Sequence, residues 1–246
     1  LATSATRDEA TGQWTINGAK RWIGGASVSD VMATFARDTA DGQVKCFLVP
    51  READGVSMTI IPNKASLRIM QNAHIEYRDV RVDESARLQG INSFKDVARC
   101  LRTMRSDVSW MATGAQAGAY EAALRYVRQR EQFGRPLAGF QLIQEKLARM
   151  LGNLTASLGM VVQLTEQQAA GVFKDENSAL AKMQTSLMLR ETVALAREVC
   201  GGNGITLDTD VARFHADAEA IYSYEGTHEV NALIVGRAVT GVGAFV

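Results

Sequence analysis

The stretch that decides the fold is residues 141–165, "QLIQEKLARMLGNLTASLGMVVQLT". Large apolar residues recur in it at spacings of three and four, which is the period of one face of an α-helix. These residues are Ile143, Leu147, Met150, Leu151, Leu154, Leu158, Val161 and Val162. Because a long apolar face has to be covered by neighbouring elements, the stretch predicts a helix that belongs to a bundle.

Other helical patterns flank this one and are separated from it by short connections. Pro136 stands near the start of the central helix, where its missing N–H costs little, and Gly201 and Gly202 are typical of a helix end. The predicted helices cover residues 106–132, 137–170, 176–200 and 227–241. Short connections favour antiparallel neighbours, so residues 91–246 are predicted to form an antiparallel four-helix bundle.

The first third of the chain has a different texture. Between residues 14 and 82 it consists of short extended runs broken by turn signals. Asn17-Gly18 and Asp41-Gly42 predict hairpin turns, and Pro50 and Pro62 mark strand ends. Residues 1–90 are therefore predicted to form an antiparallel β domain, which gives an α+β fold class.

Composition excludes several classes of function. The 246 residues hold 27 Lys+Arg and 27 Asp+Glu, so net charge indicates no nucleic-acid partner. Three cysteines, Cys46, Cys100 and Cys200, lie far apart, which argues against a disulfide framework or a zinc cluster and fits a reducing compartment. No apolar run reaches the ~20 residues of a membrane span. The opening "LATSATRDEATGQW" shows no leader and resembles the middle of a domain, so we expect a longer protein.

Three stretches carry residues suited to chemistry, and each has a simple structural alternative. Arg130 in "REQFGRPLAGFQ" suits a phosphate or a carboxylate, or is a solvated charge in a helix connection. The loop "CGGNGI" at 200–205 suits a phosphate, or only ends a helix. Glu225 in "YSYEGTHE" (222–229) is a carboxylate flanked by aromatic and apolar residues on one side and Gly-Thr on the other, and taken alone it is a solvated residue before a helix.

Taken together, these motifs resemble the flavin-dependent acyl-CoA dehydrogenase and oxidase superfamily. The motifs, in chain order, are "WIGGAS", "RQREQFGRPLAGFQLIQEKLARML", "CGGNGITLDTDVARFHAD" and "IYSYEGTHEVNALIVGRAVTG". "INGAKRWIG" and "IPNKASLRIMQN" are similar to the branch that holds glutaryl-CoA dehydrogenase and the short-chain acyl-CoA oxidases. The resemblance implies a middle β domain and a C-terminal four-helix bundle. It also implies that the family's N-terminal helical domain is missing here and that this part alone is inactive.

The resemblance assigns the catalytic step to Glu225. This residue matches the base that removes the α proton of the thioester while a hydride leaves the β carbon for flavin N5. Burial among apolar neighbours is expected to raise the pKa of this carboxyl. Gly226 would let the backbone pass close to the acyl-CoA. Thr227, His228 and Glu229 match flavin contacts, although Thr227 also suits an N-cap.

Further positions match residues that hold FAD. Trp22, Ile23 and Gly24 match the stretch against the isoalloxazine ring, and Gly24 stands where many relatives carry a threonine. Glu198 stands where many relatives carry glutamine. The positions matched to the adenine end are Arg130, Phe133, Gln141, Glu198, Gly201, Gly202 and Phe245. That end of FAD is shared across subunits in the family, which implies a homodimer or a homotetramer.

The remaining predictions concern substrate contacts, binding partners, the histidines and the location of the protein. Arg105 matches a substrate-side arginine of the glutaryl branch, or is a helix-surface cation. The implied partners are an acyl-CoA and an electron-transfer flavoprotein, or O₂ if the protein is an oxidase; a non-catalytic assembly module is the third possibility. His74, His215 and His228 have no metal role in this reading. The expected location is the cytoplasm in a bacterium, or the mitochondrial matrix or peroxisome in a eukaryote.

Overall fold

The computed structural model describes residues 1–244 and divides into two compact units. The first unit is Leu1–Cys100, and the second begins at Leu101. The proposed domain boundary after residue 90 stays a prediction, since helix α1 starts at Phe94 and its first turns group with the β unit.

The first unit is built around one six-stranded sheet. Its strands are β1 (Ser4–Arg7), β2 (Trp14–Gly24), β3 (Val31–Asp38), β4 (Val44–Pro50), β5 (Val56–Ile60) and β6 (Asn72–Val82). They lie in the order β4-β3-β1-β2-β6-β5, and every neighbouring pair is antiparallel except β1 with β3. Residues of β3 and β6 are buried largely in alternation, because successive side chains of a strand point to opposite faces, whereas 44–47 of β4 are all buried.

The hairpin predicted at Asn17-Gly18 is wrong. β2 runs straight through both residues, and the ladder to β6 shifts register between Ile16 and Gly18. Gly18 has φ 131°, and a Cβ on it would lie 2.7 Å from the Cα of Thr3, so the glycine serves a bulge rather than a turn. The hairpin at Asp41-Gly42 is confirmed between β3 and β4, with five residues, 39–43, in its loop.

Long helices make up most of the second unit. They are α1 (Phe94–Gln129), α2 (Gln141–Ala169), α3 (Asp175–Val199), α4 (Asp210–Ser223) and α5 (His228–Thr240). The four predicted helices are confirmed, with two boundary errors: α1 begins twelve residues earlier than predicted, and α2 begins at Gln141 instead of 137. The predicted end of the first helix, 130–132, and Pro136 instead belong to a small hairpin of β7 (Glu131–Gln132) and β8 (Arg135–Pro136).

The helices enclose one apolar core, to which α1, α3 and α4 contribute most of the buried residues. The predicted class, an antiparallel sheet followed by a helical bundle, is confirmed, and α4 is a fifth helix that was not predicted. α3 packs against α2, α4 and α5. Within residues 1–244, no helix combines the length and apolar character that crossing a membrane requires.

Candidate functional site

Glu225 lies in the sharp joint between α4 and α5. The joint begins where α4 ends at Ser223 and finishes where α5 begins at His228. Glu225 and Gly226 both have left-handed backbone conformations, with φ of 53° and 86°. That region is easy for glycine and costly for glutamate, so the surrounding structure must hold Glu225 there.

Polar side chains fasten this joint from two helices. The Nζ of Lys182, on α3, donates to the carbonyl oxygens of Tyr222 at 2.7 Å and Gly226 at 2.8 Å. The Nδ2 of Asn231, on α5, donates to the carbonyl oxygens of Gly226 at 2.9 Å and Thr227 at 3.1 Å. Lys182 and Asn231 are both fully buried, so these bonds satisfy donors that have left water and at the same time hold the backbone of the joint.

The carboxyl of Glu225 is half-buried, and burial and nearby positive charges shift its pKa in opposite directions. Its Oε2 is buried and has no hydrogen-bond partner among residues 1–244. Burial raises the pKa of this carboxyl, while the positive charges of Arg105 and Lys182 oppose that rise. Burial lowers the pKa of Lys182 to about 8. The result is a carboxylate with a free oxygen and an elevated proton affinity, which is what a general base needs.

Arg105 is brought to this carboxyl and is not a helix-surface cation. It lies on α1, its residue is only 7% exposed, and its buried Nε has no partner in the described part of the chain. Burial lowers the pKa of its guanidinium, and the charges of Asp175 and Glu225 oppose that shift. The surface alternative is therefore wrong, whereas a contact between Arg105 and a substrate stays a prediction.

Thr227 begins α5 and acts as its N-cap. Its Oγ1 accepts a hydrogen bond from the backbone N–H of Val230 at 3.3 Å. The next residue, His228, stacks on the ring of Tyr222 with centroids 5.5 Å apart, which packs the start of α5 against the end of α4. Glu229 is exposed, and hydrogen bonds at the helix N-terminus lower the pKa of its carboxyl. The flavin contacts proposed for these three residues stay predictions.

The stretch predicted to contact the flavin, residues 22–24, lies at the end of strand β2, where the strand forms a bulge. Trp22 has φ 67° and is 57% exposed, and the Nδ2 of Asn72 donates to its carbonyl oxygen at 3.4 Å. Ile23 and Gly24 then resume pairing with β6. A Cβ on Gly24 would meet the Sδ of Met70 at 3.5 Å, an ordinary van der Waals contact. The bulge thus presents an aromatic ring to solvent.

The stretch 130–141 projects from the end of α1 as a small hairpin followed by a 3-10 turn over Leu137–Gly139. The strands β7 and β8 are joined by Phe133 and Gly134, whose φ values of 54° and 78° are those of a tight two-residue turn. Phe133 is 92% exposed and meets the ring of Phe140 edge-on, with centroids 6.2 Å apart. Arg130 and Gln141 are exposed at the two ends of the projection.

The glycine-rich loop stands beside that projection. It follows α3 as a 3-10 turn over Gly201–Ile205, and both Gly201 and Gly202 are exposed. The Nδ2 of Asn203 donates to the hydroxyl of Tyr126 at 2.8 Å, near the end of α1. Glu198 pairs with Lys146 of α2 at 3.2 Å. These contacts tie the loop to α1 and α2, and the proposed FAD contacts of the loop stay predictions; Phe245 lies outside the described residues.

The predicted residues of the second unit thus form two separate clusters. Arg105 and Glu225 belong to one, and Arg130 belongs to the other. Between Arg105 and the end of α1 at Gln129 the helix rises about 36 Å. The sequence reasoning missed Lys182 and Asn231, although Lys182 shares a helical spacing with the buried Ala179, Ser186 and Leu189. That spacing is a signal that would have revealed a buried lysine.

Comparison with known proteins agrees with this arrangement. Residues 1–80 match the middle domain of acyl-CoA dehydrogenase, and residues 94–240 match its C-terminal domain. Glutaryl-CoA dehydrogenase from Mycobacterium smegmatis has the same fold over 100% of this chain and 62% of its own, with a TM-score of 0.95 and 37% identity. A glutaryl-CoA dehydrogenase from that organism in complex with FADH2 matches 100% of this chain and 63% of its own, with a TM-score of 0.94 and 32% identity.

A curated relative, the 3-(aryl)acrylate reductase of Clostridium sporogenes, is 31% identical over 95% of this chain and 63% of its own length. The chain therefore spans less than two thirds of the length of these proteins. The two family matches between them cover nearly all of its residues. The chain belongs to the acyl-CoA dehydrogenase family.

Proposed function

We propose that the protein carries out FAD-dependent α,β-dehydrogenation of an acyl-CoA thioester, with Glu225 as the base. The observation that carries this proposal is the Glu225 carboxyl itself: it is half-buried, its pKa is raised by burial, and its Oε2 is free of partners among residues 1–244. A surface carboxylate would be bonded to water and too weak a base for a C–H bond.

The chemistry divides between this chain and the cofactor. Glu225 takes the α proton at Oε2 as the double bond between the α and β carbons forms. Gly226 has no side chain beside the base, and an added Cβ would lie 3.2 Å from the Nδ2 of Asn231. Bound FAD supplies the acceptor for the hydride that leaves the β carbon. Thr227 and Asn231 hold the start of α5 so that the joint keeps its shape.

Features of both units fit FAD. Trp22 offers an exposed aromatic face on a bulge that Asn72 fastens. Arg130 and Gln141 stand exposed beside the glycine-rich loop, where they suit the phosphates and adenine of a dinucleotide. About 36 Å of α1 separates the Arg105 end from the Arg130 end. The family resemblance, in which the adenine end of FAD is shared across subunits, supports a homodimer or a homotetramer.

Glu225→Gln tests the proposal directly. In the full-length protein this substitution should abolish turnover of acyl-CoA and leave the absorbance of bound FAD unchanged, because the amide cannot take a proton. Glu219→Gln is the matched control: Glu219 lies on α4, is exposed and pairs with Arg190 at 2.9 Å, so turnover should stay at the wild-type level. Turnover retained by Glu225→Gln would refute the assignment.

An oxidase is the second candidate, and Gly24 favours it. A glycine stands where many relatives place a threonine hydroxyl against the flavin, so access of O₂ to the reduced flavin differs at this point. Stopped-flow reoxidation of the substrate-reduced protein separates the two functions: slow reaction with O₂ and fast reaction with an electron-transfer flavoprotein support the dehydrogenase. A purified protein that binds no FAD on reconstitution would instead indicate a non-catalytic assembly module.

Substrate and direction are decided by one panel. The glutaryl-CoA dehydrogenase neighbours favour short acyl thioesters, and the reductase relative favours a test of the reverse reaction. Bleaching of the flavin by glutaryl-, butyryl- and branched short-chain acyl-CoA reports oxidation of the substrate. Reappearance of the oxidised spectrum when the matching enoyl-CoA is added reports the reverse direction.

A further inference from the structure

The buried ammonium of Lys182 donates its hydrogen bonds to two backbone carbonyl oxygens. Lysine is almost never fully buried unless it is paired, because desolvation of its charge is costly. Here the residue is 0% exposed, and its Nζ bonds the carbonyl oxygens of Tyr222 and Gly226. Neither bond is to a carboxylate, so the positive charge is held in place without being neutralised by direct contact.

The two carbonyls stand on either side of Glu225. The carbonyl of Tyr222 belongs to the last turn of α4, where backbone acceptors lack helical partners. The carbonyl of Gly226 belongs to the turn into α5 and also accepts from Asn231. By bonding both, Lys182 closes a clamp across Tyr222–Gly226, the segment in which Glu225 adopts its costly backbone conformation.

The charges around Lys182 act on the same carboxylate. Glu225 and Glu229 favour its ammonium form, and Arg105 disfavours it. The ring of Tyr222 lies 6.0 Å from the Nζ of Lys182, and the guanidinium of Arg190 lies 4.4 Å from the centroid of that ring. The effect is reciprocal: the charge of Lys182 lowers the pKa of Glu225 against the opposing effect of burial.

We propose that Lys182 is a positioning residue for the reaction, which clamps the joint that carries Glu225 by bonding the backbone on both sides of it. The inference rests on the proposed role of Glu225 as the base. It deepens that role, because a base that is buried enough to be strong also needs a nearby positive charge to remain unprotonated before the substrate arrives.

Lys182→Met in the full-length, FAD-bound protein tests the clamp. A base displaced by about 1 Å loses roughly 100-fold in rate, so kcat should fall by roughly 10- to 100-fold with little change in KM. The acid limb of the kcat profile should also move to higher pH, because the loss of a cation raises the pKa of Glu225. Lys182→Gln removes the charge and keeps a shorter neutral donor, and it should show the same movement of the acid limb.

Ser186→Ala is the matched control on the same helix. The buried Oγ of Ser186 donates to the carbonyl oxygen of Lys182 at 2.7 Å, so its loss weakens α3 without touching the joint. This control should lower Tm and leave kcat and the acid limb unchanged. Lys182 variants whose acid limb stays in place, or whose loss of kcat is matched by Ser186→Ala, would overturn the inference. Turnover by Glu225→Gln would instead overturn the base itself, so the two failures are distinguishable.

Discussion

The left-handed backbone conformation of Glu225 should destabilise the folded protein. Its φ of 53° lies in the left-handed region, where a side chain with a Cβ crowds the backbone. Replacing it by glycine and by alanine removes the carboxyl in both cases, so the two variants differ only in the Cβ. We expect Glu225→Gly to be more stable than Glu225→Ala.

The size of this difference follows from the backbone alone. The left-handed conformation costs a residue with a Cβ about 1–2 kcal/mol, and the greater freedom of glycine in the unfolded chain returns about 0.4–1 kcal/mol. The net advantage of glycine is therefore about 1 kcal/mol. For a chain of this length that corresponds to a rise in Tm of about 2–4 °C.

The same exchange at Glu219 should give the opposite sign. Glu219 lies within α4 in a right-handed helical conformation, where glycine is less favourable than alanine by about 1 kcal/mol. Urea unfolding and thermal melts of all four variants, in apo and FAD-bound protein, measure both differences. If Glu225→Gly is no more stable than Glu225→Ala while the Glu219 pair behaves as expected, Glu225 stores no backbone strain, and the reasoning from its dihedral angle fails.

Two further substitutions test the glycines near the proposed flavin contacts. Gly204→Ala should destabilise the protein by about 1–3 kcal/mol, because its Cβ would lie 2.2 Å from the carbonyl oxygen of Arg197, whereas the open Gly202→Ala serves as the thermal-melt control. Gly24→Thr should fold with an unchanged Tm, since a Cβ there makes only ordinary contacts. It should slow the reoxidation of the reduced flavin by O₂ in stopped flow. An unchanged rate would show that Gly24 does not control the access of oxygen.

The helical bundle could be predicted because its signal is local. The spacing of large apolar residues in 141–165 is a property of one helix, and it located α2 to within a few residues. α4 was missed because its buried side chains are Val211, Ala218 and Ile221, too few and too small for a clear period. The bulge at Gly18 was read as a turn because Asn-Gly is a local turn signal, whereas the pairing of β2 with β6 is set by residues about sixty positions away.

The candidate site could be predicted only in part, for the same reason. Glu225 stands out in the sequence through its neighbours, but its free oxygen and buried cations depend on α1 and α3. Lys182 was missed because a lone lysine in a helix usually points to solvent. Arg105 was left undecided between surface and site for lack of any signal of burial in its own segment.

The arrangement around Glu225 also explains why the site uses a lysine bonded to carbonyls rather than an ion pair. A direct ion pair with Lys182 would lower the pKa of the Glu225 carboxyl further, and burial without a nearby cation would raise it further. Lys182 and Arg105 act on Glu225 through space, while the hydrogen bonds of Lys182 go to Tyr222 and Gly226. Burial and charge therefore oppose each other at Glu225 without a direct bond from Lys182 to its carboxylate, as the proposed role of Glu225 as a base requires.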